Sequence, residues 1–124
     1  MSLVPNNLLL QVGEYIKSHL NEDLSVASLC KHFHITRTVL QERFKAFHSL
    51  PIHTYILRLR MEKARDMLIE TDESIKLIAI ECGYRNARSF LKAFKKMWNE
   101  TPEQFRSLQR KLHRNKSSLL VVKS

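Results

Sequence analysis

Glycine and proline are scarce in this chain, two and three residues out of 124, and that scarcity removes most of the turn material that β-hairpins need. Alternating apolar and polar strand patterns are missing too, so the expected fold is all-α. No apolar run exceeds four residues, as at Leu77-Ile78-Ala79-Ile80, whereas a membrane-spanning helix needs about 20. The N-terminus, Met1-Ser2-Leu3-Val4-Pro5, has no basic segment ahead of an apolar stretch, so no secretory signal is read there and the cytoplasm is the expected compartment. Cysteine is limited to Cys30 and Cys82, far apart and in no Cys-x-x-Cys pair, which argues against zinc or a redox couple and for two buried small residues. His32 and His34 are too close for an i, i+4 helical pair, and His48 and His53 straddle a turn, so no metal site is expected. No activated nucleophile or acid/base pair stands out, and neither catalysis nor a cofactor is expected.

What the chain does have is a globular balance, 44% hydrophobic and 27% charged, at a length that suits one compact unit. Its formal charge of +9 is unevenly placed. Residues 1–35 and 67–84 carry −1 and −3, while residues 36–66 and 85–124 carry +4 and +9. Two separate basic blocks suit a polyanion touched at two places better than a basic tail or a membrane-seeking helix.

The blocks belong to an internal repeat. Phe44-Lys45 recurs as Phe94-Lys95, fifty positions on, and Thr36, Leu40, Phe47, Ser49 and Tyr55 recur as Asn86, Phe90, Met97, Asn99 and Phe105. Before Arg85, an extra residue, the offset is forty-nine: Ser25, Val26, Leu29, Cys30 and Ile35 match Ser74, Ile75, Ile78, Ala79 and Tyr84. Each copy reads as helix, tight turn, helix. Ser25 caps a helix with Val26, Leu29, Cys30 and Phe33 on one face. His34-Ile35 is the turn, and Thr36 caps a second helix with Leu40, Phe44 and Phe47 inward. In the second copy Ser74 caps a helix burying Ile75, Ile78, Ala79 and Cys82, Gly83 turns the chain, and Asn86 caps a helix burying Phe90, Phe94 and Met97. Three further helices are expected. One over about 6–20 turns Leu9, Val12, Ile16 and Leu20 inward. One over about 52–70 turns Tyr55, Leu59, Met67 and Leu68 inward. The last opens on the capping box Thr101-Pro102-Glu103-Gln104 and packs Phe105 and Leu108. Seven helices follow.

A major groove about 12 Å wide accepts one α-helix, which must then be polar on its outer side. With Leu40 inward, about 100° per residue puts Thr38, Gln41, Glu42 and Lys45 outward. With Phe90 inward, Arg88, Leu91, Lys92 and Lys95 point outward and Ala87 lies on the flank. Gln41 can pair with adenine, Arg88 or Lys92 with guanine, Glu42 can accept from cytosine, and Ala87 can meet a thymine methyl. A carboxylate facing phosphate is unfavourable unless a base amine meets it, so Glu42 argues for selectivity over general adhesion. Lys45, Lys95 and Lys96, with Arg37 and Arg85, are the candidate phosphate contacts.

Residues from about Leu24 to Arg106 resemble the DNA-binding domain of AraC/XylS-type transcription regulators. The resemblance is carried by Ile78-Ala79-x-x-Cys82-Gly83-Tyr84-x-x-x-x-Ser89-Phe90-x-x-x-Phe94-Lys95-Lys96, by Thr101-Pro102-x-x-Phe105-Arg106 and by Arg60-x-x-x-Ala64-x-x-x-Leu68. It implies two homeodomain-like helix-turn-helix subdomains, residues 1–50 and 71–113, joined by a long linking helix over 51–70 and followed by a basic and apolar tail over 114–124. It also implies recognition helices in successive major grooves, base-reading positions at Thr38, Gln41, Glu42, Ala87, Arg88 and Lys92, and double-stranded DNA as partner. RNA polymerase is a candidate second partner, and no membrane is involved. Most members carry a sensor domain, so an effector domain absent from this chain is expected. A stand-alone regulator, or a basic RNA- or protein-binding module, are the other readings. Two features depart from the family: Ser49 and Asn99 stand where a glycine usually follows each recognition helix, and Pro51 comes one position early. Local differences are expected at those turns.

Overall fold

The computed structural model describes the backbone from Pro5 to Lys123 and side chains as far as Leu112. Among the described residues there are seven helices and no strand: α1 (Asn6–Ser18), α2 (Val26–Phe33), α3 (Arg37–His48), α4 (Ile52–Glu70), α5 (Ile75–Glu81), α6 (Ala87–Trp98) and α7 (Pro102–Lys123). The chain forms two compact units, Met1–Arg60 and Met61–Ser124, rather than the one suggested by its length. No helix among the described residues is long and apolar enough to cross a membrane.

In the first unit, local chemistry sets the helix starts. The Ser25 hydroxyl accepts from the Ser28 N–H at 3.1 Å, and the Thr36 hydroxyl accepts from the Val39 N–H at 3.4 Å, each satisfying a donor that the first helical turn cannot. Val12, Ile16, Leu20, Leu24, Leu29, Leu40, Phe44, Ile52 and Ile56 form one buried cluster. Around it, His48 sits in a ring cage, 4.1 Å from Phe44 and 5.0 Å from Tyr55 by centroid, and its Nε2 donates to the Leu9 carbonyl at 2.9 Å. That bond ties the C-terminal end of α3 to α1. The cage is close-fitting on the α1 side, where Gly13 is buried.

The second unit repeats the plan. Ser74 accepts from the Leu77 N–H at 3.1 Å and Asn86 Oδ1 from the Ser89 N–H at 2.9 Å. Thr101 and Gln104 form the reciprocal capping box, with Gln104 N–H donating to Thr101 Oγ1 at 3.1 Å and Thr101 N–H donating to Gln104 Oε1 at 2.9 Å. Met61, Ala64, Leu68, Ile78, Ala79, Cys82, Phe90, Phe94 and Phe105 make the second buried cluster. Phe94 meets Phe105 edge-on at 5.7 Å.

Several expectations are corrected. The inward residues of α4 are Ile52 and Ile56 in the first cluster and Met61, Ala64 and Leu68 in the second; Tyr55, Leu59 and Met67 are only half-buried and pack at the margins. Leu108 is exposed, because α7 turns Phe105 rather than Leu108 into the core. Cys82 is buried, but Cys30 is only half-buried. The backbone of α7 continues helical to Lys123 across the stretch read as a tail; the side chains from 113 on, including Leu119 to Val122, lie outside the described residues.

The repeat extends to a feature the sequence does not announce. Arg60 donates through Nη2 to the Glu22 carbonyl at 2.8 Å and through Nε to the Leu20 carbonyl at 3.2 Å. In the second unit Arg110 Nη2 donates to the Thr71 carbonyl at 2.9 Å and to Asp72 Oδ1 at 2.6 Å. Glu22 and Thr71 are forty-nine apart and Arg60 and Arg110 fifty apart, the same two offsets that relate the helix pairs. Each guanidinium thus supplies donors to carbonyls beyond a helix end, α1 in one unit and α4 in the other. Arg106 assists at the second site through Leu68 and Thr71 carbonyls, and its burial, followed by the charge of Arg110, lowers its pKa against the opposing pull of Asp72.

Candidate nucleic-acid interface

Each unit presents one helix whose inner side is anchored and whose outer side is exposed. In the first, Leu40 and Phe44 fix α3 from within. In the second, Phe90 and Phe94 fix α6 in the same way. The preceding turns share a hydrogen bond that closes the end of the bracing helix: Ile35 N–H donates to the Cys30 carbonyl at 3.1 Å and Tyr84 N–H to the Ala79 carbonyl at 2.9 Å. Both turns pass through the left-handed region, His34 at φ 55° and Gly83 at φ 90°. After each outer helix the chain turns left-handed again, at Ser49 (φ 65°) and Asn99 (φ 61°), where their N–H groups bond to the Lys45 and Lys95 carbonyls at 2.9 and 2.8 Å. The non-glycine residues at these positions therefore keep the glycine-type turn geometry, at the steric cost that a Cβ carries there.

Thr38, Gln41 and Glu42 are all exposed on α3, and Arg88 and Lys92 are exposed on α6; Ala87 is half-buried at the start of α6. Of the cations expected at phosphate, Arg37 and Lys45 are exposed in the first unit and Arg85, Lys95 and Lys96 in the second. Among the described residues none of these side chains enters an ion pair, whereas Lys17, His19 and Arg110 do. The first turns of α3 and α6 contain no acidic residue, so the partial positive charge and unpaired N–H groups at both N-termini are left open to an anion. Lys45 and His48, and Lys95 with Lys96, fall in the last turns, where cations oppose the negative end of the helix.

The structure also removes charge from the surface available to a polyanion. Arg60, Arg106 and Arg110 are committed to backbone carbonyls, and Arg65 lies over the Trp98 ring at 4.7 Å. Within the basic block over 85–124, Arg106 and Arg110 are therefore structural, whereas Arg85 and, on α6, Arg88, Lys92, Lys95 and Lys96 are exposed. Two outward residues were not among the expected contacts. Arg43 is exposed on α3 next to Glu42, and Leu91 is exposed among the cations of α6. The helical wheel puts Leu91 outward without giving it a role, whereas Arg43, about 60° from Leu40 on the wheel, is not picked out by it. Among the described residues no group of three or more His, Cys, Asp or Glu is placed to hold a metal ion.

With this geometry in view, comparison with known proteins gives a consistent picture. A family model described as a helix-turn-helix domain matches residues 29–108. The xylose operon regulatory protein of Escherichia coli K12 is 34% identical over 99 residues, covering 80% of this chain and 25% of that protein. Among solved structures, the C-terminal domain of AraT, a response regulator from Geobacillus stearothermophilus, aligns with a TM-score of 0.80 at 28% identity over 87% of this chain and 88% of that one. The DNA-binding domain of the global transcriptional factor AdpA, solved with a target DNA, has the same fold, with a TM-score of 0.78 at 22% identity over 82% of this chain and 92% of that one. The chain spans between 16% and 26% of the length of the curated relatives it matches.

Proposed function

The chain belongs to the AraC/XylS-type helix-turn-helix family of transcription regulators, and from that premise we propose that it reads duplex DNA with α3 and α6, each seated in a major groove and the two in successive grooves. Thr38, Gln41 and Glu42 read bases from α3, and Ala87, Arg88 and Lys92 read them from α6. Arg37, Lys45, Arg85, Lys95 and Lys96 hold phosphates. It acts on transcription by binding, in the cytoplasm and without catalysis, as the DNA-binding part of a larger regulator of the kind its relatives are.

The observation that carries this reading is the pairing of rigid anchorage with a polar outer face. α3 and α6 are held by fully buried Leu40, Phe44, Phe90 and Phe94, while Thr38, Gln41, Glu42, Arg88 and Lys92 stand exposed on them. Exposed side chains on a rigidly anchored helix lose little when they exchange water for base edges and phosphate. Glu42 opposes indiscriminate binding, because near phosphate it is repelled unless it accepts from a cytosine amine.

Selection from a random duplex library at near-physiological salt tests the proposal. Two enriched half-sites at fixed spacing, about one helical turn or 10 base pairs apart, are expected. A library that emerges with no enriched sequence would refute sequence reading, and a single enriched half-site would refute the two-groove arrangement.

A further inference from the structure

We propose that Leu91 is a specificity-determining residue that recognises the C5-methyl group of a thymine in the half-site bound by α6. The inference rests on α6 being a recognition helix. Leu91 is 39% exposed and is not part of the buried cluster of its unit. A single exposed leucine is ordinary on a protein surface. This one, however, lies at the edge of the outward strip of α6 that it forms with Arg88, Lys92 and Lys95, three, one and four residues away, while Phe90 and Phe94 are buried on the inner face. Every other residue of that strip is a cation. The counterpart of Leu91 in the first unit, fifty positions earlier, is Gln41, a residue suited to pairing with adenine. The repeat thus places an apolar side chain in one copy where the other copy has a hydrogen-bonding one.

Base edges in the major groove are donors and acceptors throughout, with one apolar feature, the methyl of thymine. Leu91 set against any other edge would strip water from a polar atom and return no hydrogen bond. Against the methyl it buries apolar surface on both sides. Arg88 and Lys92, flanking it, can hold neighbouring guanines or phosphates and fix its position along the groove. Ala87, the residue first matched to a thymine methyl, is half-buried and offers less surface.

The test uses the whole chain and a duplex recovered by selection. Each thymine of the half-site bound by the second unit is replaced in turn by deoxyuridine, which removes the methyl and leaves pairing intact. At one position the substitution is expected to weaken wild-type binding about fourfold, the effect of one buried methyl-sized group. Leu91→Ala is expected to bind the thymine and uracil duplexes equally, with unchanged thermal unfolding because the side chain lies outside the core. A uracil penalty that persists in Leu91→Ala assigns the methyl to another residue and overturns the proposal, as does the absence of a penalty at every position. Failure of the DNA-binding reading itself looks different: no duplex is then enriched.

Discussion

Gly13 offers a case in which two well-characterised effects oppose each other and the structure decides between them. Alanine in a helix interior is normally about 1 kcal/mol more favourable than glycine. A Cβ at this position, however, would lie 3.0 Å from His48 Cε1, 3.3 Å from His48 Nε2 and 3.2 Å from the Tyr55 hydroxyl. The imidazole has little room to retreat, since Nε2 bonds to the Leu9 carbonyl at 2.9 Å and its ring lies tilted against fully buried Phe44, 4.1 Å between centroids. Overpacking of this kind costs about 1–3 kcal/mol, so Gly13→Ala is expected to be net destabilising by about 1 kcal/mol. Urea unfolding followed by circular dichroism measures it, with an unchanged m value as the check that only stability moved. In a His48→Ala background the same substitution should cost less, because the nearest obstacle is gone and only the Tyr55 hydroxyl, 3.2 Å from the added Cβ, still opposes the helix preference. A gain of about 1 kcal/mol in the wild-type background would show that the cage gives way, and would refute the claim that His48 rigidly ties α3 to α1.

Replacing the left-handed residues after the outer helices should raise stability: Ser49→Gly by about 0.5–1 kcal/mol, and Asn99→Gly by less, because asparagine tolerates that conformation better. Thermal or urea unfolding ranks the two, and a larger gain at Asn99 contradicts the steric account. Arg110→Ala should cost about 1 kcal/mol of stability through the lost Thr71 carbonyl bond, yet leave binding to a selected duplex unchanged. A selective loss of binding there would make it a DNA contact. Lys95→Ala should weaken binding to selected and random duplexes alike and reduce the salt slope by about one, at a stability cost of no more than about 1 kcal/mol from the lost charge at the helix end; an unchanged slope counts against a phosphate contact.

Much of this was legible in the residues because its causes are local. Ser25, Thr36, Ser74, Asn86 and the Thr101/Gln104 pair act within one helical turn, and all are found capping the helices they precede. The apolar stripes of α3 and α6 were equally plain, since each helix buries one face in one core. α4 misled for the opposite reason. Its apolar residues serve two clusters in succession, Ile52 and Ile56 in one and Met61, Ala64 and Leu68 in the other, so a stripe drawn through Tyr55, Leu59, Met67 and Leu68 catches the buried Leu68 and otherwise only residues at the margins of the two clusters. The arginine clamps were not visible because their acceptors are backbone carbonyls 35 to 40 positions away, and no residue type marks those. Charge counting then assigned to the outer surface cations that hold the fold together. At the outer faces, the wheel identifies which residues point away from the core, while their individual pairings depend on a base sequence that lies outside the protein.

Binding constants for the wild type, Gln41→Ala and Arg88→Ala, measured on a selected duplex, its single-base-pair variants and a random duplex, bear most directly on the idea that α3 and α6 both read sequence. Each variant should lose about 1–3 kcal/mol on the selected duplex, lose little on the random one, and become indifferent to changes within one half-site, a different half-site for each. Equal losses on selected and random duplex, or full sensitivity retained at every base pair in both variants, would contradict it.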